Sequence, residues 1–292
     1  MKKITKVLMA AVAVSTLCFA GCKMPEDVIG GDIFDGWSTE KNDETGAEIT
    51  ASINYNNPSE DPEDIERGIL LFKNKKKDIA VNVVMEDAKK VPGFMSVIFN
   101  QTENKDGTLN FIALGFNSNT NGNKAKIACT YYKNVDKKDF KEKDFGRTGA
   151  DCKEILANTW FESDISPDAN GKLNVGFVIT ANKGSNPYTV RIYGNKTAKD
   201  LNKIADAIGS EKTDDDDVIG KPEKEFNITA DELGLERTAD SAKIEAGIGF
   251  YANVYAGKTL KGEWQVGDMT HNPAGIIWDD EIPNTLNIQL AE

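Results

Sequence analysis

The side chains that carry most enzyme chemistry are scarce in this sequence of 292 residues. It holds a single histidine, His271, and four cysteines. One imidazole argues against paired-histidine metal centres and His/Cys zinc sites, and largely against Ser-His-Asp hydrolases. No G-x-x-x-x-G-K-[ST] loop occurs, and the spaced glycines Gly247 and Gly249 precede no helix-like segment, so nucleotide binding has no support. These residue types therefore predict no cofactor and no catalytic residue.

Acidic side chains offer the remaining route to metal chemistry. The run from Asp214 to Asp217 presents hard oxygen ligands of the kind that calcium prefers. However, a bare acidic run lacks the interleaved spacing and the bidentate glutamate of a defined calcium loop, and such runs are more often simply solvated. The segment WDDEIP at 278–283 has the same character. Asp214 and Asp216 are therefore the calcium candidates, while no defined metal site is predicted.

The N-terminal segment has the composition of an export signal. Lys2, Lys3 and Lys6 precede an uncharged apolar stretch from Val7 to Ala20. Signal-peptide cores span ~7–15 residues, whereas a membrane-spanning helix needs ~20, so the stretch predicts export rather than a membrane span.

A cysteine preceded by small residues ends this apolar stretch, in the order Phe19, Ala20, Gly21, Cys22. The arrangement resembles the lipobox of bacterial lipoproteins, with Phe19 standing where leucine is usual. The resemblance implies that Cys22 is acylated and becomes the new N-terminus. Cys18 follows a bulky leucine and is the poorer candidate. The alternative is a plain secretory signal cleaved at an A-x-A-like site.

The lipoprotein resemblance implies a division of the chain and a location. Residues 1–21 form the signal peptide, residues 22–34 a lipidated tether, and residues 35–292 the body. Two or more acyl chains, each contributing ~0.8 kcal/mol per buried methylene, give stable attachment, so the lipid bilayer is the first expected partner. Lys23 follows the cysteine instead of aspartate, and the expected location is the outer membrane or the cell surface.

The charge of the mature chain limits its other partners. Cleavage before Cys22 leaves 32 basic and 47 acidic side chains. Such a negative chain argues against nucleic acid, because affinity for phosphates comes from Lys and Arg. It also argues against contact of the body with an anionic membrane surface. The simpler explanation of the negative net charge is that it keeps the protein soluble.

Two cysteines, Cys129 and Cys152, remain once Cys22 carries lipid. An even pair in an exported chain predicts a disulfide. It would close a loop of about 24 residues and contribute ~3 kcal/mol. Two buried free thiols are the alternative.

Period-two alternation dominates the body. In EITASINY (48–55) and KLNVGFVIT (172–180), apolar residues share one face, and IAVNVVM, KAKIACTYY and YTVRIY behave alike. LNFIALGF (109–116) is apolar on both faces, as expected of a central strand. Asp-Gly or Asn-Gly lies within the segments 104–109, 119–124 and 168–173, which predicts three antiparallel turns. These patterns predict an all-β, antiparallel two-sheet β-sandwich.

One surface α-helix is predicted over 197–209, where apolar residues recur at helical spacing. Thr197 and Asp200 fit a capping box and Gly209 fits a C-terminal stop. An acidic loop follows near 210–225. This loop is the only credible domain boundary, and a single domain is the preferred interpretation.

The segment IEAGIGFYANVYAGKTLKGEWQV (244–266) is predicted to form a hairpin. Its two apolar faces would bring Val254 opposite Leu260, with a three-residue loop between the strands.

This hairpin would show a polar and aromatic row on its other face. Tyr251, Asn253 and Tyr255 would lie in line, with Lys261 and Glu263 across from them. Two tyrosines flanking an amide, with charged groups nearby, can bind sugars by ring stacking and hydrogen bonds. The simpler interpretation is that the tyrosines cover a second packed surface, such as one beneath the 197–209 helix.

This segment and ACTYYKNVD (128–136) resemble strands of the concanavalin A-like jelly-roll sandwiches, which include lectins and carbohydrate-active enzymes. The resemblance implies a jelly-roll-like fold. Glycosidases of that superfamily carry an E-x-D-x-x-E run, and this chain has none, so no catalytic residue is carried over. The sequence predicts a non-enzymatic β-sandwich that binds a glycan or a host or envelope protein. The alternatives are a divergent carbohydrate-active enzyme with carboxylates on separate strands, or a structural envelope protein.

Overall fold

The computed structural model describes nine stretches of the chain, which form two packed β-sheets with helices at their periphery. These stretches are 38–42, 47–76, 79–118, 124–136, 152–154, 161–182, 185–209, 220–234 and 246–267. The predicted lipidation site Cys22, the calcium candidates Asp214 and Asp216, and His271 lie outside the described residues.

Sheet A has seven strands. They are β1 (Ser38–Asn42), β2 (Ala47–Asn56), β4 (Ile79–Met85), β10 (Leu173–Ala181), β11 (Tyr188–Gly194), β12 (Lys224–Ile228) and β14 (Thr259–Gly267). Their order across the sheet is β1-β2-β14-β4-β10-β11-β12, and every neighbouring pair is antiparallel. Since β11 and β12 are neighbours, the chain before and after the predicted acidic loop belongs to the same sheet.

Sheet B also has seven strands. They are β3 (Glu66–Lys76), β5 (Gly93–Glu103), β6 (Leu109–Ser118), β7 (Ala125–Val135), β8 (Cys152–Glu154), β9 (Phe161–Glu162) and β13 (Ala246–Val254). The order is β3-β13-β5-β6-β7-β8, with β9 also pairing with β7. The predicted central strand is β6, which lies between β5 and β7 and is buried from Phe111 to Phe116.

The core lies between the two sheets, where apolar side chains from both sheets are buried against each other. Phe250 of β13 stacks on Trp264 of β14 with ring centroids 5.3 Å apart. The indole N–H of Trp264 donates a hydrogen bond of 3.0 Å to the carbonyl oxygen of Ser96 in β5. The predicted all-β, antiparallel two-sheet sandwich is therefore confirmed. It is jelly-roll-like because the chain passes repeatedly from one sheet to the other, as between β2 and β3, β3 and β4, and β4 and β5.

The predicted hairpin over 244–266 is wrong, because its two strands lie in different sheets. β13 pairs with β3 and β5, whereas β14 pairs with β2 and β4. Val254 is opposite Glu66 and Gly93, and Leu260 is opposite Tyr55. The apolar faces of the two strands meet across the core instead of lying side by side.

The predicted antiparallel connections have different outcomes. β5 and β6 are antiparallel neighbours joined across 104–108, and β6 and β7 are neighbours as well, which confirms two of them. At 168–173 a tight turn does form, with Gly171 at φ +84°. It connects no hairpin, because β9 pairs with β7 in sheet B and β10 pairs with β4 and β11 in sheet A.

The predicted helix is α1 (Ala198–Gly209), which packs on the outer face of sheet A. The backbone N–H of Asp200 donates to Thr197 Oγ1, and the N–H of Thr197 donates to the Asp200 carboxylate, which confirms the capping box. Leu201 lies directly over Gly176, where a β-carbon would be 2.7 Å from the leucine methyl. The absence of a side chain at Gly176 thus makes room for the helix.

A second helix was not predicted. α2 (Ala230–Leu233) is one turn long, begins at the capping box of Thr229 and Glu232, and ends at Gly234 with φ +66°. Within the described residues, neither helix is long and apolar enough to cross a bilayer.

The predicted disulfide between Cys129 and Cys152 is wrong, because Cys129 is a free, buried thiol. The backbone of Cys152 pairs with Tyr132, which lies three residues beyond Cys129 in β7. At ~3.3 Å per residue, the two cysteines are offset by about 10 Å along the strands, and a disulfide spans at most ~6.8 Å between α-carbons. Burial raises the pKa of the Cys129 thiol, and the nearby charge of Glu232 raises it further. The thiol therefore stays protonated and unreactive.

We expect a reducing agent to leave the thermal unfolding midpoint of the protein unchanged. Loss of a disulfide that closes about 24 residues would remove ~3 kcal/mol and lower the midpoint by roughly 5–10 °C. Alkylation in denaturant without reductant, followed by mass spectrometry, should modify both Cys129 and Cys152. A requirement for reductant before either cysteine reacts would contradict the structure.

Candidate functional site

The predicted ligand row on β13 is buried and cannot stack on a sugar. Tyr251 alternates along the strand with the core residue Phe250, so it faces away from sheet A; its exposure is 0 %. Its ring packs beside Phe94 at 6.5 Å between centroids. Asn253 is 2 % exposed, and its side-chain oxygen accepts a hydrogen bond of 2.9 Å from the N–H of Phe94. The prediction that Tyr251 and Asn253 bind ligand is therefore wrong, and the packing interpretation holds for them. Helix α1 does not provide that packing, because it contacts sheet A.

The other residues of the predicted row lie elsewhere. Tyr255 is half-buried in the loop after β13, where its hydroxyl accepts a hydrogen bond of 3.5 Å from Asn117. Lys261 and Glu263 are in sheet A, opposite Asn54 and Ser52 of β2. The Glu263 carboxylate accepts a hydrogen bond of 2.9 Å from Gln265. The structure therefore does not bring the five predicted residues together on one surface.

A different site opens at one end of sheet B, where β5, β6 and β7 meet helix α2. It is a cavity of about 290 Å³, which we call the asparagine pocket. Three amides, a hydroxyl, an aromatic ring and an ammonium group contribute to its wall. The lining residues are Asn100, Thr102, Asn110, Tyr131, Lys133, Asn134, Leu233 and Gly234.

Two β-bulges orient side chains of β5 and β7 toward the pocket. The register of β5 against β6 shifts between Phe99 and Thr102, and that of β6 against β7 shifts opposite Lys133 and Asn134. Asn100 and Asn134 occupy the extra positions with φ of +52° and +53°. Asparagine is among the few side chains that tolerate this left-handed conformation. A bulge turns the strand locally and redirects its side chains, which brings residues from two strands to one opening.

A network of amides holds this rim in place. Asn104 donates through its side-chain nitrogen to Thr108, Asn110 and Asn134, at 2.9, 3.3 and 3.1 Å. In return, Asn110 donates to the side-chain oxygen of Asn104 at 2.8 Å and accepts from the backbone N–H of Asn134 at 2.9 Å. The network ties the β5–β6 turn to the bulge in β7, so the pocket wall is formed before any ligand arrives.

The floor of the pocket combines an aromatic ring with a cation. Tyr131 is 6 % exposed, and its hydroxyl donates a long hydrogen bond of 3.4 Å to the carbonyl oxygen of Leu233. Burial raises the pKa of Tyr131, so the phenol remains neutral. The ammonium group of Lys133 lies 5.3 Å from the centre of the Tyr131 ring. This cation–π contact holds the ammonium group near the pocket.

Helix α2 supplies the remaining wall. Thr229 and Glu232 cap its first turn reciprocally, with Glu232 accepting from the Thr229 N–H at 2.7 Å and from its hydroxyl at 2.8 Å. At Gly234 the chain turns next to Lys133, and a β-carbon there would be 3.2 Å from the ammonium nitrogen. Glycine therefore both permits the positive φ and leaves room for the lysine.

The residues of this site lie in segments whose patterns predict no binding role. NKDGTL predicts a turn, and ACTYYKNVD predicts a strand. The signal that could have drawn attention is the density of amides, with asparagines at 100, 104, 110 and 134. The bulges that bring them together leave no separate trace in the sequence.

Among the residues that the structure describes, no three His, Cys, Asp or Glu side chains come together as a possible metal site.

The comparisons with known proteins concern the arrangement of strands. No protein-family model matches the chain, and no curated protein sequence matches it. Among solved structures, a CBM2 module of the evolved Dit protein of Lactobacillus casei BL23 phage J-1 has 12 % identity and a TM-score of 0.34, over 79 % of this chain and 73 % of that chain. A lichenase (β-1,3-1,4-glucanase) from a mouse hindgut metagenome has 10 % identity and a TM-score of 0.35, over 80 % of this chain and 85 % of that chain. A Bacillus licheniformis β-glucanase has 12 % identity and a TM-score of 0.34, over 84 % of this chain and 89 % of that chain.

We expect Tyr251→Ala to destabilise the protein by about 3–5 kcal/mol, because it removes a fully buried aromatic side chain. Tyr255→Ala serves as the matched control and should cost much less, since this ring is only half-buried. Urea unfolding followed by tryptophan fluorescence measures both. Equal and small losses would show that Tyr251 is exposed in solution.

Proposed function

We propose that this protein is a lipid-anchored, extracytoplasmic binding protein that holds a glycan in the asparagine pocket without hydrolysing it. The observation that carries the proposal is the composition of this pocket. Among the residues that the structure describes, amide, hydroxyl, aromatic and ammonium groups line it, and no carboxylate does.

The chemistry of the lining suits a sugar. A sugar ring carries hydroxyl groups that both donate and accept hydrogen bonds, and side-chain amides offer both functions at fixed positions. Binding sites usually combine an apolar or aromatic surface with a few well-placed polar groups, and Tyr131 with Leu233 provides the apolar part here. The volume of about 290 Å³ lies at the lower end of ligand pockets, which favours a single sugar residue or the end of a chain.

The same lining supports binding over hydrolysis. Glycoside hydrolysis ordinarily needs two carboxyl groups about 5–9.5 Å apart on either side of the scissile bond. In α2, which borders the pocket, Glu232 already accepts hydrogen bonds from the N–H and the hydroxyl of Thr229. Its carboxylate is occupied in capping the helix.

The N-terminal sequence supports an anchored location. The lipobox-like Phe19-Ala20-Gly21-Cys22 would attach the mature chain by two or more acyl chains, which is stable attachment. The segment from 22 to 34 would serve as the tether between the bilayer and the sandwich. We place the protein at the outer membrane or the cell surface, where an anchored binding domain meets glycans of the envelope or of the surroundings.

Cys22→Ser should release the protein from the membrane fraction into the soluble fraction of the expressing bacteria. Mass spectrometry of the wild-type protein should find a mature chain that begins at an acylated Cys22. Cys18→Ser is the matched control and should remain membrane-bound, because that cysteine is cleaved off with the signal peptide. An unmodified N-terminus in the wild type would refute the anchor.

Asn134→Gly should weaken glycan binding by roughly three- to tenfold, which corresponds to the loss of one hydrogen bond. Glycine keeps the left-handed backbone that this position requires, so the substitution removes the amide and its hydrogen bond from Asn104 without straining the chain. Asn195→Gly is the matched control, since Asn195 is an exposed asparagine with φ +54° outside the pocket. The measurement is a glycan array of the full chain in detergent, followed by titration of the best ligand. An array without any bound glycan, or equal affinities of both variants, would refute the proposal.

A further inference from the structure

Two amides of the asparagine pocket present hydrogen-bond donors to it. The side-chain oxygen of Asn100 accepts a hydrogen bond of 3.0 Å from the Tyr188 hydroxyl, and that of Asn134 accepts one of 3.1 Å from Asn104. Each amide therefore has its acceptor occupied, while its NH₂ group has no partner among the described residues. Asn100 is only 8 % exposed, yet its side-chain nitrogen stays in contact with solvent, so this donor can meet a ligand.

The third amide adds no free acceptor. The side-chain oxygen of Asn110 accepts from the backbone N–H of Asn134 and from the Asn104 amide, and its nitrogen donates to Asn104. Asn110 thus fixes the geometry of the rim and leaves recognition to its neighbours.

The pocket also contains a cation, Lys133. Among the described residues it is the only charged one in the lining, and none of their carboxylates forms an ion pair with it. Its ammonium group is held near the Tyr131 ring, and Gly234 leaves the space beside it open. A local positive group in a chain of net charge −12 is a feature that a bound anion would use.

From these donors we infer that the ligand is an acidic sugar, a glycan residue that carries a carboxylate as uronic acids do. This inference rests on the proposed glycan-binding function and specifies its ligand class. The carboxylate accepts hydrogen bonds from Lys133 and from the free amide nitrogens of Asn100 and Asn134, while the sugar ring contacts the small parts of Tyr131 and Leu233 that line the pocket. Acceptor-only carboxylate oxygens match this ammonium group and these two amide nitrogens, and hydrogen bonds to charged groups are stronger than neutral ones.

The test compares methyl β-glucuronide with methyl β-glucoside, which differ in a carboxylate replacing a hydroxymethyl group. Isothermal titration of the full chain in detergent should show the glucuronide binding about tenfold more tightly, as expected for one charge-assisted hydrogen bond. Acetate, which has the carboxylate without the ring, should bind more weakly than the glucuronide.

Variants of Lys133 test whether this residue causes the preference for the glucuronide. Lys133→Gln should remove the preference for the glucuronide, and Lys133→Arg should retain most of it. Lys258→Gln is the matched control, because Lys258 is an exposed lysine in the loop between β13 and β14, at the opposite end of sheet B. Since Lys133 is exposed, its replacement should leave folding intact.

The outcomes separate this inference from the proposed function. Equal affinities for the two glycosides, binding of neither glycoside, or acetate matching the glucuronide would overturn the acidic-sugar inference. The glycan array decides independently whether the protein binds glycans. Neutral glycans bound on the array through Asn134 would leave the proposed function intact while the acidic ligand is rejected.

Discussion

The packing of sheet A on sheet B depends on aromatic side chains that two consecutive strands send into the same interior. Phe250 and Trp264 stack across the sandwich, and the Trp264 indole donates to a backbone carbonyl of the opposite sheet. This hydrogen bond lets a large side chain be fully buried without leaving an unpaired donor. Because only a short loop separates β13 from β14, the contact also fixes where the chain crosses from one sheet to the other. Sheets packed face to face lie ~10 Å apart, and the paired rings fill that distance.

The regular core contrasts with the end of sheet B, where the strands depart from regular pairing. Two bulges at the same level of neighbouring strands turn side chains toward a common opening, and both depend on asparagine in a left-handed conformation. The amides that follow tie the bulges to the adjacent turn. The site is therefore a product of local irregularity supported by a rigid scaffold, which is how sandwiches commonly carry binding residues.

Much of the fold could be predicted from the sequence, because alternation reports which face of a strand is buried. It located the strands at 48–55, 109–116 and 172–180, and helical spacing with a Thr197–Asp200 box located α1. Alternation does not report the partner of a strand. The apolar faces of β13 and β14 would be buried equally well side by side or across the core, and the structure has the second arrangement. Because β14 lies in sheet A, Lys261 and Glu263 are not beside β13, where the hairpin prediction put them.

The candidate site was less predictable for related reasons. Tyr251 and Tyr255 alternate in the same way, yet one is fully buried and the other half-buried, since burial depends on what packs above the sheet. The even pair of cysteines, Cys129 and Cys152, in a chain predicted to be exported suggested a bond that the strand register forbids. The asparagine pocket depends on two bulges and on a one-turn helix from a distant part of the chain. None of these features has a periodic signature.

Sheet B is buried on both of its faces at its centre, where Ser96, Ala113 and Ala128 are at most 2 % exposed and Phe94 and Tyr251 pack together. On the proposed function, recognition lies at the ends of the strands, where one residue can change without disturbing those beneath it. Specificity and stability would then be encoded in separate sets of positions. Related chains could therefore acquire new ligands by exchanging residues at the strand ends while the interior stays unchanged.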